Sequence, residues 1–120
     1  MEMMCEAQLE IARVRIGQKE FSEALALLNS IDETCSTRDF SNRLTHLTGF
    51  LLVVTGESVD RGIFMVESSI RNAEDLTPFE VVSMYGNLYR AYMSSGSEQQ
   101  ALHSLSNGVE VLKTTISQIL

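Results

Sequence analysis

The feature that most constrains this fold is a segment that recurs three times along the chain. Each copy opens on a glycine and carries a small residue near the start of the amphipathic run that follows. These small residues are Ala24, Gly62 and Ala101, which lie 38 and 39 residues apart. A nearly constant period of this size is typical of stacked helical repeats, in which each unit buries its apolar face against the next.

Each unit is predicted to contain two helices. Apolar residues follow each small residue at helical spacing, as Leu25 and Leu28 do in the first unit. Thr77, Pro78 and Glu80 form a helix-start signal with a capping box, and Ser97 with Gln100 repeats its logic. We therefore predict an all-α chain with helices at about 3–16, 20–34, 39–55, 59–74, 78–94 and 98–117.

The connections and the ends of the array give two further expectations. The glycines at 17, 56 and 96 are expected to take the left-handed conformation that ends the first helix of each pair. We predict one domain over residues 1–120, with repeats at about 3–35, 39–75 and 78–117. The last helix keeps Val109, Leu112 and Ile116 without a fourth repeat to cover them. This predicts either a section of a longer array or an end that docks on a partner.

Composition and charge exclude several classes of protein. An apolar fraction of 44% with 21% charged residues indicates a folded chain. The net charge of −7 and the scattered basic residues argue against direct binding of nucleic acid. No apolar run approaches the ~20 residues of a membrane span, so no membrane association is expected. Cys5 and Cys35 show no ligand or disulfide spacing, which predicts free thiols and an intracellular, reducing location.

Residues for chemistry are sparse. His46 and His103, the only histidines, fall in different repeats without acidic or cysteine neighbours at ligand spacing. We expect them to be packed or surface side chains. No glycine-rich phosphate loop and no nucleophile motif is present. The sequence therefore predicts no enzyme activity, no catalytic residue, no cofactor and no metal.

The repeat pattern resembles the tetratricopeptide repeat (TPR), a helical scaffold for protein–protein interaction. The third unit carries the resemblance best, and the first shares part of it. The matching residues are Tyr85, Leu88, Tyr92, Gly96 and Ala101 in the third unit and Ala12, Phe21, Ala24 and Leu28 in the first. The period exceeds the ~34 residues usual for that family. The resemblance implies an alpha-alpha superhelix, a right-handed solenoid of three TPR-like helix-turn-helix repeats.

Among divergent, long-period members, the chain is most similar to the repeat subunit of the cohesin loader, the Mau/Scc-four family. The likeness is carried by a stretch that runs from Gly17 through Ala24-Leu25 and Phe40-Ser41-Asn42 to Phe50, and by the segment from Tyr89 to Gly96. It implies a role in sister chromatid cohesion and chromosome segregation, with the adherin subunit of the loader as partner in the nucleus. Without that likeness, the cytoplasm is the expected location. Two alternatives remain, a repeat subunit of the anaphase-promoting complex and a regulatory repeat module that senses a ligand.

The resemblance also nominates a groove, because in TPR proteins the first helix of each pair lines the concave face. An extended segment of a partner would lie there, with Arg13 and Arg90 orienting its acidic groups. The groove residues carried over are Glu6, Leu9, Arg13, Leu44, Leu47, Thr48, Leu51, Ser83, Asn87, Arg90 and Ser94. The tyrosines at 85, 89 and 92 are expected to pack between helices, or to present one hydroxyl to the groove.

Overall fold

The computed structural model describes residues 2–31, 35, 37–74 and 76–120. Within these ranges the chain forms helices and contains no strand, which confirms the all-α prediction. The helices are α1 (Glu2–Gly17), α2 (Phe21–Asn29), α3 (Arg38–Val54), α4 (Val59–Arg71), α5 (Pro78–Ser94) and α6 (Glu98–Ile119).

The helix starts show which capping signals operate. Before α5, the Thr77 hydroxyl accepts a hydrogen bond from the Glu80 amide at 3.2 Å, and the Glu80 carboxylate accepts one from the Thr77 amide at 3.5 Å. This confirms the predicted capping box. Thr37 caps α3 through a single hydrogen bond, which its hydroxyl accepts from the Phe40 amide at 3.3 Å. Ser97 is the N-cap residue of α6 as predicted, but its side chain makes no capping hydrogen bond, so the capping box predicted there is wrong.

The helix ends also differ in part from expectation. Gly56 and Gly96 have φ of 76° and 81°, as predicted, but in the first unit the left-handed residue is Lys19 with φ of 62°. Gly17 is the last residue of α1. The helix α2 ends at Asn29, where the prediction had 34, and α4 ends before the predicted 74. Residues 32–34 of the predicted second helix and residue 75, at the end of the second predicted repeat, lie outside the described residues.

The helices pack in three consecutive pairs, α1 with α2, α3 with α4 and α5 with α6. The second helix of each of the first two pairs also packs on the first helix of the next, and α3 touches α5 directly. The principal apolar core runs from α1 to α5 through the middle pair. Phe21 of α2 and Phe50 of α3 meet edge to face, with ring centroids 6.4 Å apart. The contacts of α3 with three other helices explain why its four consecutive residues from Phe50 to Val53 are all buried.

Two glycines, Gly49 of α3 and Gly62 of α4, allow the backbones of these two helices to come into direct contact. A Cβ atom at Gly49 would lie 2.7 Å from the carbonyl oxygen of Gly62, and one at Gly62 would lie 2.5 Å from that of Gly49. Neither position leaves room for a side chain. Gly62 is one of the three recurring small residues, and the other two, Ala24 and Ala101, are 0% exposed.

The two cysteines correct the expectation of free thiols. Cys5 of α1 and Cys35, which precedes α3, form a disulfide with Cα atoms 6.2 Å apart. Cys5 is buried and Cys35 is half-buried. Sequence spacing did not reveal this bond because the fold brings together residues 30 positions apart. None of the described helices combines the length and the apolar character needed to cross a bilayer.

Candidate partner-binding cleft

A cleft of about 400 Å³ opens between the first helices of all three pairs. Its walls come from α1, α3 and α5, together with one residue that precedes α5. The lining residues are Arg13, Ile16, Arg43, His46, Leu47, Leu76, Glu80, Ser83, Met84 and Asn87. We call this set of residues the cleft.

Four of the predicted groove residues meet in the cleft. Arg13 comes from α1, Leu47 from α3, and Ser83 with Asn87 from α5. Arg13 and Ser83 are exposed, Asn87 is half-buried and Leu47 is buried on the apolar side. Side chains far apart in sequence thus converge because one turn of each first helix faces the same space.

The other predicted groove residues lie elsewhere. Leu9 and Leu51 are 0% exposed, so they belong to the core and the groove assignment is wrong for them. Leu44 and Thr48 are half-buried outside the cleft lining. The three remaining groove residues are exposed and do not line it, namely Glu6, Arg90 and Ser94.

Sequence reasoning missed several cleft residues. Arg43 lies one helical turn before Leu47, and Glu80 lies one turn before Ser83. Extending the helical spacing by one turn from the predicted positions finds both. No pattern in the sequence indicated that His46 lines the cleft, because its position depends on how α3 packs against α4 and α5.

His46 is the centre of a hydrogen-bond chain that joins three helices. Its Nδ1 lies 2.8 Å from the Ser69 hydroxyl on α4, and its Nε2 lies 2.9 Å from the Asn87 side-chain nitrogen on α5. The Ser69 hydroxyl donates its own proton to the Val66 carbonyl at 2.6 Å. It must therefore accept from Nδ1–H, while Nε2 accepts from the Asn87 amide. These hydrogen bonds identify His46 as a neutral imidazole protonated on Nδ1.

Burial fixes that neutral state. His46 is 4% exposed, and desolvation first, with the positive charge of Arg13 second, lowers the pKa of its imidazole from 6.5 to about 4. Both ring nitrogens already have partners, so the side chain has no free lone pair to take a proton from a substrate. This arrangement is that of a structural histidine and not that of a general base. It agrees with the first of the two expectations from the sequence, a packed rather than a surface side chain.

The charged residues at the cleft differ in how firmly they are held. Arg43 bonds Glu80 across the gap between α3 and α5 at 2.8 Å and Asp39 on its own helix at 3.3 Å. Arg13 pairs only with Glu10 among the described residues, at 3.0 Å, and both side chains are largely exposed. Exposed pairs at this spacing contribute ~0.2–0.5 kcal/mol, so Arg13 can turn to another acidic group at little cost.

The predicted tyrosines serve packing. Tyr85 and Tyr92 are half-buried against the core, and neither lines the cleft. Burial first, and the neighbouring Glu67 carboxylate second, raise the pKa of Tyr92. Tyr89 is half-buried and likewise lies outside the cleft lining.

Among the described residues, no three His, Cys, Asp or Glu side chains gather as a metal ion would require. Comparison of the chain with protein-family models, with curated proteins and with solved structures found no match.

Proposed function

We propose that this chain is a protein-interaction scaffold of TPR-like repeats that holds an extended segment of a partner protein in the cleft. The observation that carries the proposal is the convergence of α1, α3 and α5 on one space. Consecutive helix pairs that present their first helices to a common concave face form a continuous binding surface, which is how helical solenoids engage extended ligands.

The cleft chemistry favours a segment with an apolar residue next to an acidic one. Leu47, Met84 and Ile16 give it an apolar floor, and Ser83 and Asn87 offer hydrogen-bonding groups beside that floor. Arg13 supplies a mobile positive charge at the rim. The volume lies at the lower end of the range for ligand pockets, so it accommodates one or two anchoring side chains of a longer segment.

Arg90 is a second positively charged residue, on α5 and outside the cleft lining. It lies one helical turn beyond Asn87 and is exposed. A segment that leaves the cleft along α5 would bring its acidic groups to this residue. Rim charges of this kind steer association and orient the ligand, while the apolar anchor supplies most of the affinity.

The resemblance to the cohesin loader's repeat subunit names the partner to test first, its adherin subunit, and with it a nuclear location. The anaphase-promoting complex remains the second assignment of the same class. An intracellular location stays a prediction, and the Cys5–Cys35 disulfide is a bond that reducing compartments seldom preserve. A ligand-sensing module would use the same cleft, whose volume also suits a small acidic molecule.

The test is a charge reversal at the rim. Arg13→Glu with Arg90→Glu should weaken binding of the adherin segment at least tenfold by isothermal titration, because two orienting charges become repulsive. The melting temperature should change little, since both side chains are exposed. The matched control is Arg61→Glu with Arg71→Glu, which makes the same charge change on α4 and should keep wild-type affinity.

Two outcomes would count against the proposal. Equal loss of affinity in both double variants would show that only net charge matters. No binding of any adherin segment, with saturable binding of a small acidic ligand instead, would favour the sensing module.

A further inference from the structure

The Cys5–Cys35 bond joins the first helix to the connection that leads into α3. Cys5 lies on α1, and Cys35 lies two residues before Thr37, the residue that caps α3. Among the described helices, α1 packs closely on α2 alone, whereas α3 packs closely on α2, α4 and α5. The bond is therefore a direct tie between α1 and the start of the second unit, which α1 otherwise reaches mainly through α2.

Cys5 is placed so that it can exist as a free thiol without loss of the core. It belongs to the buried apolar cluster that also contains Leu9, Leu28 and Phe40. A reduced cysteine behaves in such surroundings as a small apolar side chain, so the core stays filled when the bond breaks. Reduction therefore removes the tie but not the packing around Cys5.

Cys35 is the end of the bond that can move and can be reached by a reactant. It is half-buried at the edge of the same core and lies outside the described helices. No described helix has to unwind when Cys35 moves away from α1. Its partial exposure also makes its Sγ the sulfur that a small thiol can attack, because Cys5 is buried.

A small thiol such as glutathione breaks the bond in two steps. Its thiolate attacks Sγ of Cys35, the S–S bond breaks, and Sγ of Cys5 leaves with the electron pair and takes up a proton. A second glutathione thiolate then attacks the glutathione sulfur of the mixed disulfide, which forms oxidised glutathione and releases Cys35 to take up a proton. Two electrons thus pass from two glutathione thiols to the protein, and oxidised glutathione restores the bond by the reverse steps.

We propose that Cys5 and Cys35 form a redox switch that controls how firmly α1 is held against the rest of the array. With the bond intact, α1 is fixed both by its packing on α2 and at the start of the second unit. With the bond reduced, only the packing remains, and α1 opens locally more often than helices that have several packing partners. In a reducing compartment, where such bonds are usually transient, the bond forms only when the oxidant level rises.

The switch acts on the cleft, because α1 supplies one of its walls. Arg13 and Ile16 are the α1 residues that line the cleft, and Arg13 lies about 12 Å beyond Cys5 along the helix axis. Local opening of α1 removes this wall, so the reduced chain should bind a partner segment more weakly than the oxidised chain. This consequence rests on the proposed function, whereas the loosening of α1 does not.

Hydrogen exchange of the full chain, measured with and without dithiothreitol, tests the loosening of α1. The probes are the amides of Leu9 and Ala12 on α1 and those of Leu88 and Ala91 on α5, all of them in buried residues. Reduction should speed exchange at the α1 amides about tenfold or more relative to the α5 amides. The same acceleration in both helices would overturn the proposal, because it would show that the bond acts only on global unfolding.

Cys35→Ser is the variant that mimics the reduced chain. It keeps the Cys5 thiol in the core and places the serine hydroxyl at a half-buried position that solvent reaches. Its α1 amides should exchange like those of the reduced wild type, and dithiothreitol should leave their exchange unchanged. Exchange like that of the oxidised wild type would contradict the proposal.

Reversibility and binding complete the test. The folded oxidised chain, treated with reduced glutathione, should lose the bond while its circular dichroism stays helical, and oxidised glutathione should restore the bond. A bond that reacts only in denaturant would rule out a switch. Isothermal titration with an adherin segment should show an affinity about tenfold lower for the reduced chain. Equal affinity in the two states would remove the link to the cleft, and no binding in either state would count against the proposed function while the exchange result still decides the switch.

Discussion

The buried histidine predicts how stability depends on pH. The pKa of His46 is about 4 in the folded chain and about 6.5 when unfolded. Between these values the unfolded chain binds the proton more strongly, so the free energy of unfolding falls as the pH falls. The full difference corresponds to about 3 kcal/mol, and about 2 kcal/mol of it should be lost between pH 7 and pH 5. Below pH 4 this contribution levels off.

Urea unfolding at several pH values between 7 and 4 measures this loss in the wild type and in His46→Gln. Glutamine stays neutral and keeps an acceptor for Asn87, so this variant should be less stable at pH 7 but should lose about 2 kcal/mol less than the wild type on going to pH 5. His103→Gln changes the exposed histidine and should keep the wild-type pH dependence.

Nuclear magnetic resonance gives an independent measurement on the wild type. A titration of the His46 ring should show a midpoint near pH 4, and nitrogen shifts at pH 7 should show the proton on Nδ1. The same pH dependence in the wild type and in His46→Gln would refute the reasoning, as would a ring midpoint near 6.5.

Other predictions concern packing and covalent structure. Gly49→Ala should destabilise the chain by about 1–3 kcal/mol, because its Cβ would meet the backbone of α4, as urea unfolding would show. Gly86→Ala is the matched control: a Cβ there meets nothing within 4 Å, so this helix-interior change should stabilise by about 0.5–1 kcal/mol. Replacing Cys5 and Cys35 by serine should cost about 3–4 kcal/mol, from the loop the bond closes, and should abolish the effect of reductant on unfolding.

Local signals made much of the fold predictable. Helix starts at Thr77 and turns at Gly56 and Gly96 depend on neighbouring residues, and the structure confirms them. The end of α2 at Asn29 was not predictable in the same way, because the apolar spacing continues to Ile31. Ile31 is buried outside the helix, so apolar periodicity could not tell a helical position from a buried turn.

The sequence could predict a cleft residue only where the side of the helix on which it lies determines whether it faces the cleft. Arg13, Leu47, Ser83 and Asn87 face the cleft because their helices present one side to it. Phase did not suffice for Leu9 and Leu51, which lie one turn from Arg13 and Leu47 on the same sides of their helices but are 0% exposed. The partners of His46 and the Cys5–Cys35 bond depend on how helices from different units meet, and single-sequence patterns carry no information about those distances.

The contact between Gly49 and Gly62 has a consequence for how this sequence can vary. A Cβ atom at either position would collide with the carbonyl oxygen of the other residue, and that oxygen is present whatever the residue type. A larger residue at one site therefore cannot be offset by a smaller one at the other, because nothing smaller than glycine exists. The two positions should tolerate change only together with a displacement of the whole α4 helix. Homologous chains that retain this helix pair should therefore keep both glycines, or show both replaced along with a wider spacing between the helices.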